Sequence, residues 1–143
     1  MSYDRADWHY EGDFPSSLPT ECGGTHIGMF LAWAIHSGLE GDELREDAAA
    51  ALEEVRARRM TGRDFLFNQC DGKFWESDLS EEGNEFAKWY YAPDTAYLAD
   101  YERELGDGLE TLYHVADTWE NYDKLAKVID QRFDEWRRRP HRV

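Results

Sequence analysis

The 143-residue sequence is poor in cysteine, with two, and in proline, with four, and its longest apolar run is nine residues. Two thiols, Cys22 and Cys70, cannot form the disulfide framework of a small secreted scaffold, so both are expected to stay reduced. The apolar run, Ile27 to Ile35, is less than half the roughly 20 residues that cross a bilayer, which excludes a spanning helix. The opening residues Met1-Ser2-Tyr3-Asp4-Arg5 lack the basic region and apolar core of a secretory leader, so a cytoplasmic location is expected. No phosphate-cradling GxxxxGKS or GxxxxGKT loop, no GxSxG elbow and no GxGxxG turn occurs. The common nucleotide-binding and serine-hydrolase chemistries are left without their usual sequence signals.

Basic residues are outnumbered. Sixteen Lys and Arg face thirty-one Asp and Glu, for a formal charge of −15. Residues 1–70 carry six basic against thirteen acidic side chains, residues 71–135 six against eighteen, and the tail from Trp136 only four arginines. Such a field repels nucleic acid and anionic membrane and speeds encounter with basic partners. Aromatics are plentiful at 15% of residues, including six Trp, so the acidity does not imply disorder.

The spacing of these apolar residues predicts a mainly all-α fold. A single domain over residues 1–143 is expected, of about six helices, with an extended arm over 1–24 and room for one short strand pair. The arm carries Trp8, His9, Tyr10 and Phe14 among prolines and glycines, and its aromatics are expected to dock on the core. Thr25 is expected to cap a buried helix that is apolar on nearly every face and ends near Gly38. One amphipathic helix is predicted from Asp42 to Met60, with Leu44, Ala48, Ala51, Leu52 and Val55 in a stripe. A short helix capped by Thr61 and Asp64 should end at Asp71-Gly72, and another should run from Asp78 to Tyr91 until Pro93 stops it. Asp94 should then cap a helix with Tyr97, Leu98, Tyr101 and Leu105 inward. The stretch Leu109 to Ala116 suits a helix or a short strand. Asp117 and Glu120 read as a capping box for a last helix with the seam Tyr122, Leu125, Ile129, Phe133 and Trp136. The run Arg137-Arg138-Arg139 suits the negative dipole end of that helix better than a nucleic-acid tail.

The chemistry-bearing residues are dispersed. None of the five histidines sits in an HExxH, HxH or CxxC arrangement. His26 and His36, ten residues apart on one predicted helix, are turned by roughly 80° and separated by roughly 15 Å, so they cannot share an ion. No metal or other cofactor is expected. Gly23-Gly24-Thr25 reads either as an anion-binding helix start or, more simply, as a flexible entry to a buried helix. If the arm packs near the start of the last helix, His9, His114, Asp117 and Tyr122 would form a polar pocket, which a hydrogen-bond network pinning the arm explains as well.

Three runs carry a resemblance: Tyr3-Asp4-Arg5-Ala6-Asp7-Trp8-His9-Tyr10, Thr25-His26-Ile27-Gly28-Met29-Phe30-Leu31-Ala32-Trp33, and Trp119-Glu120-Asn121-Tyr122-Asp123-Lys124-Leu125. They resemble a family of small bacterial proteins catalogued as a domain of unknown function, a likeness that implies no activity and no catalytic residues. In size and acidity the chain is also similar to the immunity proteins of bacterial toxin systems, through general character rather than a motif.

The first expectation is therefore a non-enzymatic binding protein that neutralises a basic toxin or effector through acidic and aromatic surface. Trp75, Glu76, Asp78, Glu81, Glu82, Glu85, Tyr91 and Asp94 are its candidate contacts. No direct nucleic-acid or membrane partner is expected. Two alternatives stay open: a nucleic-acid mimic that blocks a DNA-binding enzyme, and a small-molecule enzyme using the His9, His114, Asp117 and Tyr122 pocket.

Overall fold

The computed structural model describes residues 2–9, 14–91 and 96–139. Among them are seven α-helices and one two-stranded antiparallel sheet. The helix α1 (Thr25–His36) is apolar on nearly every face, and every residue but His36 is buried. Phe30 and Trp33 organise the rings around it. Phe30 lies 4.9 Å from Tyr91 and 5.3 Å from Tyr97, while Trp33 meets Phe86 and Phe133, both at 5.3 Å between centroids. Each such side chain contributes about 1.5–3 kcal/mol by leaving water. The Trp33 indole N–H donates to Asp130 Oδ1 at 2.8 Å, so the ring is buried without orphaning its donor.

The predicted Asp42–Met60 helix is two helices, α2 (Asp42–Asp47) and α3 (Ala49–Arg56). The chain breaks at Ala48, whose φ of −129° and ψ of 27° leave helical geometry. The break lets α2 reach the 3-10 turn Glu76–Asp78, where Gly41 N–H donates to Asp78 O, while α3 lies on α1. Next comes α4 (Gly62–Cys70). The Thr61 hydroxyl accepts from Asp64 N–H, and the helix ends in the left-handed pair Asp71 and Gly72, as expected. The α1 and α4 backbones touch at Gly28 and Gly62, because a Cβ on Gly62 would collide with the Gly28 carbonyl and one on Gly28 with the Arg63 amide.

Strand β2 (Lys73–Trp75) pairs with β1 (Ser2–Arg5) in the register Arg5 to Lys73, Asp4 to Phe74 and Ser2 to Trp75. Part of the arm is thus a strand, continued by a 3-10 turn, Ala6–His9, with a second turn at Thr20–Gly24. Helix α5 (Glu81–Tyr90) starts later than predicted, because Ser80 rather than Asp78 caps it, accepting from Gly83 N–H. Its last helical residue is Tyr90; Pro93 and Asp94, the predicted stop and cap, lie outside the described residues. Helix α6 (Ala96–Leu105) turns Tyr97 and Tyr101 inward but leaves Leu98 exposed. The ambiguous stretch after it is a 3-10 turn, Leu112–His114, and not a strand.

Helix α7 (Trp119–Arg138) carries its expected seam, with Tyr122, Leu125 and Ile129 buried and Phe133 and Trp136 packed on the core. Thr118 caps it by accepting from Asn121 N–H, so the expected Asp117 and Glu120 box is not formed. Asp100, 1% exposed, ties α5, α6 and α7 together. It accepts from the Tyr90 hydroxyl at 2.7 Å and from Arg132 at 2.9 and 3.0 Å, with Arg103 2.9 Å away. Both cysteines are free thiols, and no described helix is long and apolar enough to cross a membrane.

Candidate functional site

The arm folds back because strand β1 pairs with β2 and Ala6 N–H then donates to Gly72 O at 2.8 Å, which starts the 3-10 turn over Ala6–His9. That turn returns His9 to the strand it has just left. His9 Nε2 lies 2.9 Å from Asp4 Oδ1, and its Nδ1 lies 2.9 Å from the Tyr113 hydroxyl. His26, in the first turn of α1, approaches the other oxygen of the same carboxylate, with Nε2 3.1 Å from Asp4 Oδ2. The two imidazoles meet edge to face, their centroids 4.6 Å apart. One ligand-capable atom from each of Asp4, His9 and His26 falls within 4.8 Å of the other two.

The surroundings fix this trio. The Tyr91 hydroxyl donates to Asp4 Oδ2 at 2.7 Å and Arg5 N–H to Asp4 Oδ1 at 2.8 Å. The Tyr97 hydroxyl donates to the His26 carbonyl. The Asp4 side chain is 13% exposed and that of His9 21%, while His26 is 5% exposed, so His9 is the most accessible of the three. Burial alone would raise the Asp4 pKa, but hydrogen bonds from His26 and His9 outweigh it and hold the carboxyl well below the usual range. Burial lowers the His26 pKa against the pull of Asp4, which favours a neutral imidazole. Two imidazoles beside a carboxylate are a donor set that intermediate divalent metals take.

The other expected pocket is not assembled. His9 belongs to the trio above, while Tyr122 donates toward His36 Nδ1 at 2.7 Å on a different part of α1. Asp117 faces Arg63 at 3.4 Å, with its pKa raised by burial, and His114 Nδ1 meets Thr111 Oγ1 at 2.9 Å. Nor does the Gly23-Gly24-Thr25 start bind through a free cap. Gly24 is packed under Phe67 and Leu66, and Thr25 Oγ1 accepts from Arg63.

The acidic candidates divide. Glu81, Glu82 and Glu85 are exposed and, with Ser80 and Trp136, line one open groove of about 540 Å³. Trp75 and Glu76 are exposed nearby in sequence, on β2 and the turn after it. Asp78 and Tyr91 are buried, which corrects their expected place on the surface: Asp78 accepts Trp75 N–H at 2.8 Å, and Tyr91 is committed to Asp4. Burial pushes the Asp78 carboxyl up to about 6. Asp94 lies outside the described residues, as does Tyr10. Of the arm's other aromatics, Phe14 packs on Tyr113 at 4.9 Å, whereas Trp8 is 57% exposed and does not dock.

The trio escaped the sequence reading because its members lie five and twenty-two positions from Asp4 and match no ligand spacing. The usable signal was an acidic residue in a short arm strand with a histidine one turn later, next to a histidine opening a fully buried helix.

Fold and site together define a mainly helical domain clasped by an N-terminal strand and turn through a histidine and carboxylate cluster. The chain belongs to the family described as a domain of unknown function (DUF7832), whose model matches residues 2–115. The match takes in Asp4, His9, His26, Tyr91 and Tyr113, and stops short of α7 and of the Trp119–Leu125 run. No curated protein and no solved structure matches the chain.

Proposed function

We propose that the chain is a binding protein that neutralises a basic bacterial toxin or effector, taking a Lys- or Arg-rich segment of it on the acidic groove of α5. The observation that carries this reading is that the molecule's own arginines already sit there. Arg137 reaches Glu82 in the groove at 3.2 Å, and further along α5 the Arg139 guanidinium lies over the Trp89 ring at 5.1 Å. Helix α5 therefore offers groove carboxylates and, further along, an aromatic face to guanidinium groups, the pairing that a basic partner would extend. Exposed Trp75 and Trp89 are of the residue type that supplies most affinity at interfaces, and exposed carboxylates mainly speed encounter.

The test is capture from cells that carry the genes neighbouring this one, with the wild-type chain and with Glu81→Lys/Glu82→Lys/Glu85→Lys as bait. A basic protein retained by the wild type, lost with the triple variant and released by moderate salt is the expected result. Equal capture by both baits, or capture of acidic proteins alone, overturns the reading.

A further inference from the structure

We propose that Asp4, His9 and His26 form a binding site for one divalent first-row transition ion of the zinc type, independent of the partner groove. Asp4 already stands between the two imidazoles, with oxygen-to-nitrogen edges of 2.9 and 3.1 Å. A tetrahedral ion with bonds of about 2.0–2.2 Å sets such edges at roughly 3.3 Å, so each of these two edges, one to each oxygen of Asp4, opens by a few tenths of an ångström, while the three ligand atoms, all within 4.8 Å of one another, turn toward one point. His9 supplies that freedom, because it sits on a short, partly exposed turn, while His26 and Asp4 are fixed by helix and strand.

The groups that orient metal ligands are in place as well. The Tyr91 hydroxyl and Arg5 N–H hold the Asp4 carboxylate, and the Tyr113 hydroxyl stands at His9 Nδ1. Coordination through Nε2 takes the Nδ1–H tautomer of each imidazole, its proton passing from Nε2 to Nδ1 by exchange with solvent. The Tyr113 hydroxyl then accepts from His9 Nδ1. Three protein ligands leave a fourth position for water or for an oxygen of a bound molecule. Two imidazoles and one carboxylate are too few oxygens for calcium or magnesium, which selects against the abundant hard cations.

The experiment is calorimetric titration of the full chain with Zn²⁺, repeated with Mg²⁺ present, together with the visible spectrum of the Co²⁺ form. One Zn²⁺ per chain, unaffected by Mg²⁺, and d–d bands of a four-coordinate Co²⁺ site are expected. His9→Ala should weaken binding at least about 100-fold, and Tyr113→Phe about 10-fold or more. Because the thirty-one acidic residues could collect zinc elsewhere, affinity and stoichiometry unchanged in His9→Ala overturn the proposal, as does the absence of zinc binding to the wild type. If His9→Ala does not fold, the wild type is read by NMR. Zinc-induced shifts confined to the His9 and His26 rings support the site, and shifts elsewhere without them overturn it.

Discussion

Two regions of the molecule hold carboxylates in opposite circumstances. Around Asp4, one carboxylate is nearly buried, and both of its oxygens are engaged by named donors from β1, the arm turn, α1 and the chain just after α5. Along α5, Glu81, Glu82 and Glu85 stand in water, and the Arg137 contact to Glu82 is an exposed pair of little energetic weight. The first arrangement contributes to the fold and can respond to a ligand only by local rearrangement. The second contributes almost nothing to the fold and is free to be spent on a partner. Net charge alone hides this distinction, since both regions count equally toward −15.

The sharpest way to break the comparison is Asp4→Ala, which leaves His26 and Tyr91 buried without their acceptor. A loss of about 3 kcal/mol in urea unfolding is expected, with the β1 amides exchanging faster by NMR. Asp100→Asn comes next, at about 2–3 kcal/mol, because Arg132 and Tyr90 lose a charged acceptor. Its pH dependence has a definite sign. Burial opposes ionisation of Asp100, but the Arg132 and Tyr90 hydrogen bonds prevail and its pKa falls below the ordinary value. Its stabilisation is therefore complete above the unfolded carboxyl pKa of about 3.9 and is lost as pH falls below it. The acid limb of the stability curve should be shallower in Asp100→Asn than in the wild type.

By contrast, Glu81→Lys/Glu82→Lys/Glu85→Lys should shift Tm by no more than about 2 °C while abolishing capture of a basic partner. The smallest effect is expected from Arg137→Ala/Arg139→Ala, which removes the internal cations that lie on Glu82 and Trp89 of α5. Partner affinity measured by calorimetry should rise about threefold with Tm nearly unchanged.

What the sequence made legible follows the physics of each element. Helix α1 was readable because a nine-residue apolar run with no polar face has nowhere to sit except the centre of a core. The α7 seam was readable because its period of three and four survives over twenty residues. The break at Ala48 was not, since Ala48 to Leu52 is strongly helix-forming, and only the competing attachments of α2 and α3 interrupt it. Capping was legible where one side chain could serve, as at Thr61. It was misread where adjacent candidates competed, as at Asp117 and Thr118, because backbone angles decide the winner. For the site, His9 was expected in a polar group with His114, Asp117 and Tyr122, and it hydrogen-bonds Asp4 and Tyr113 instead. Those partners were not legible, because they depend on the pairing of β1 with β2, Asp4 opposite Phe74, far along the chain.

The meeting of Gly28 and Gly62 has a consequence for how this chain can vary. Most crowded positions in a core tolerate a larger residue when a neighbour shrinks in exchange, so that pairs of changes succeed where single ones fail. Here each side of the contact is already main chain, and neither has an atom left to give up. A methyl group added to one glycine has no suppressor at the other, and relief has to come from moving the whole of α4 away from α1.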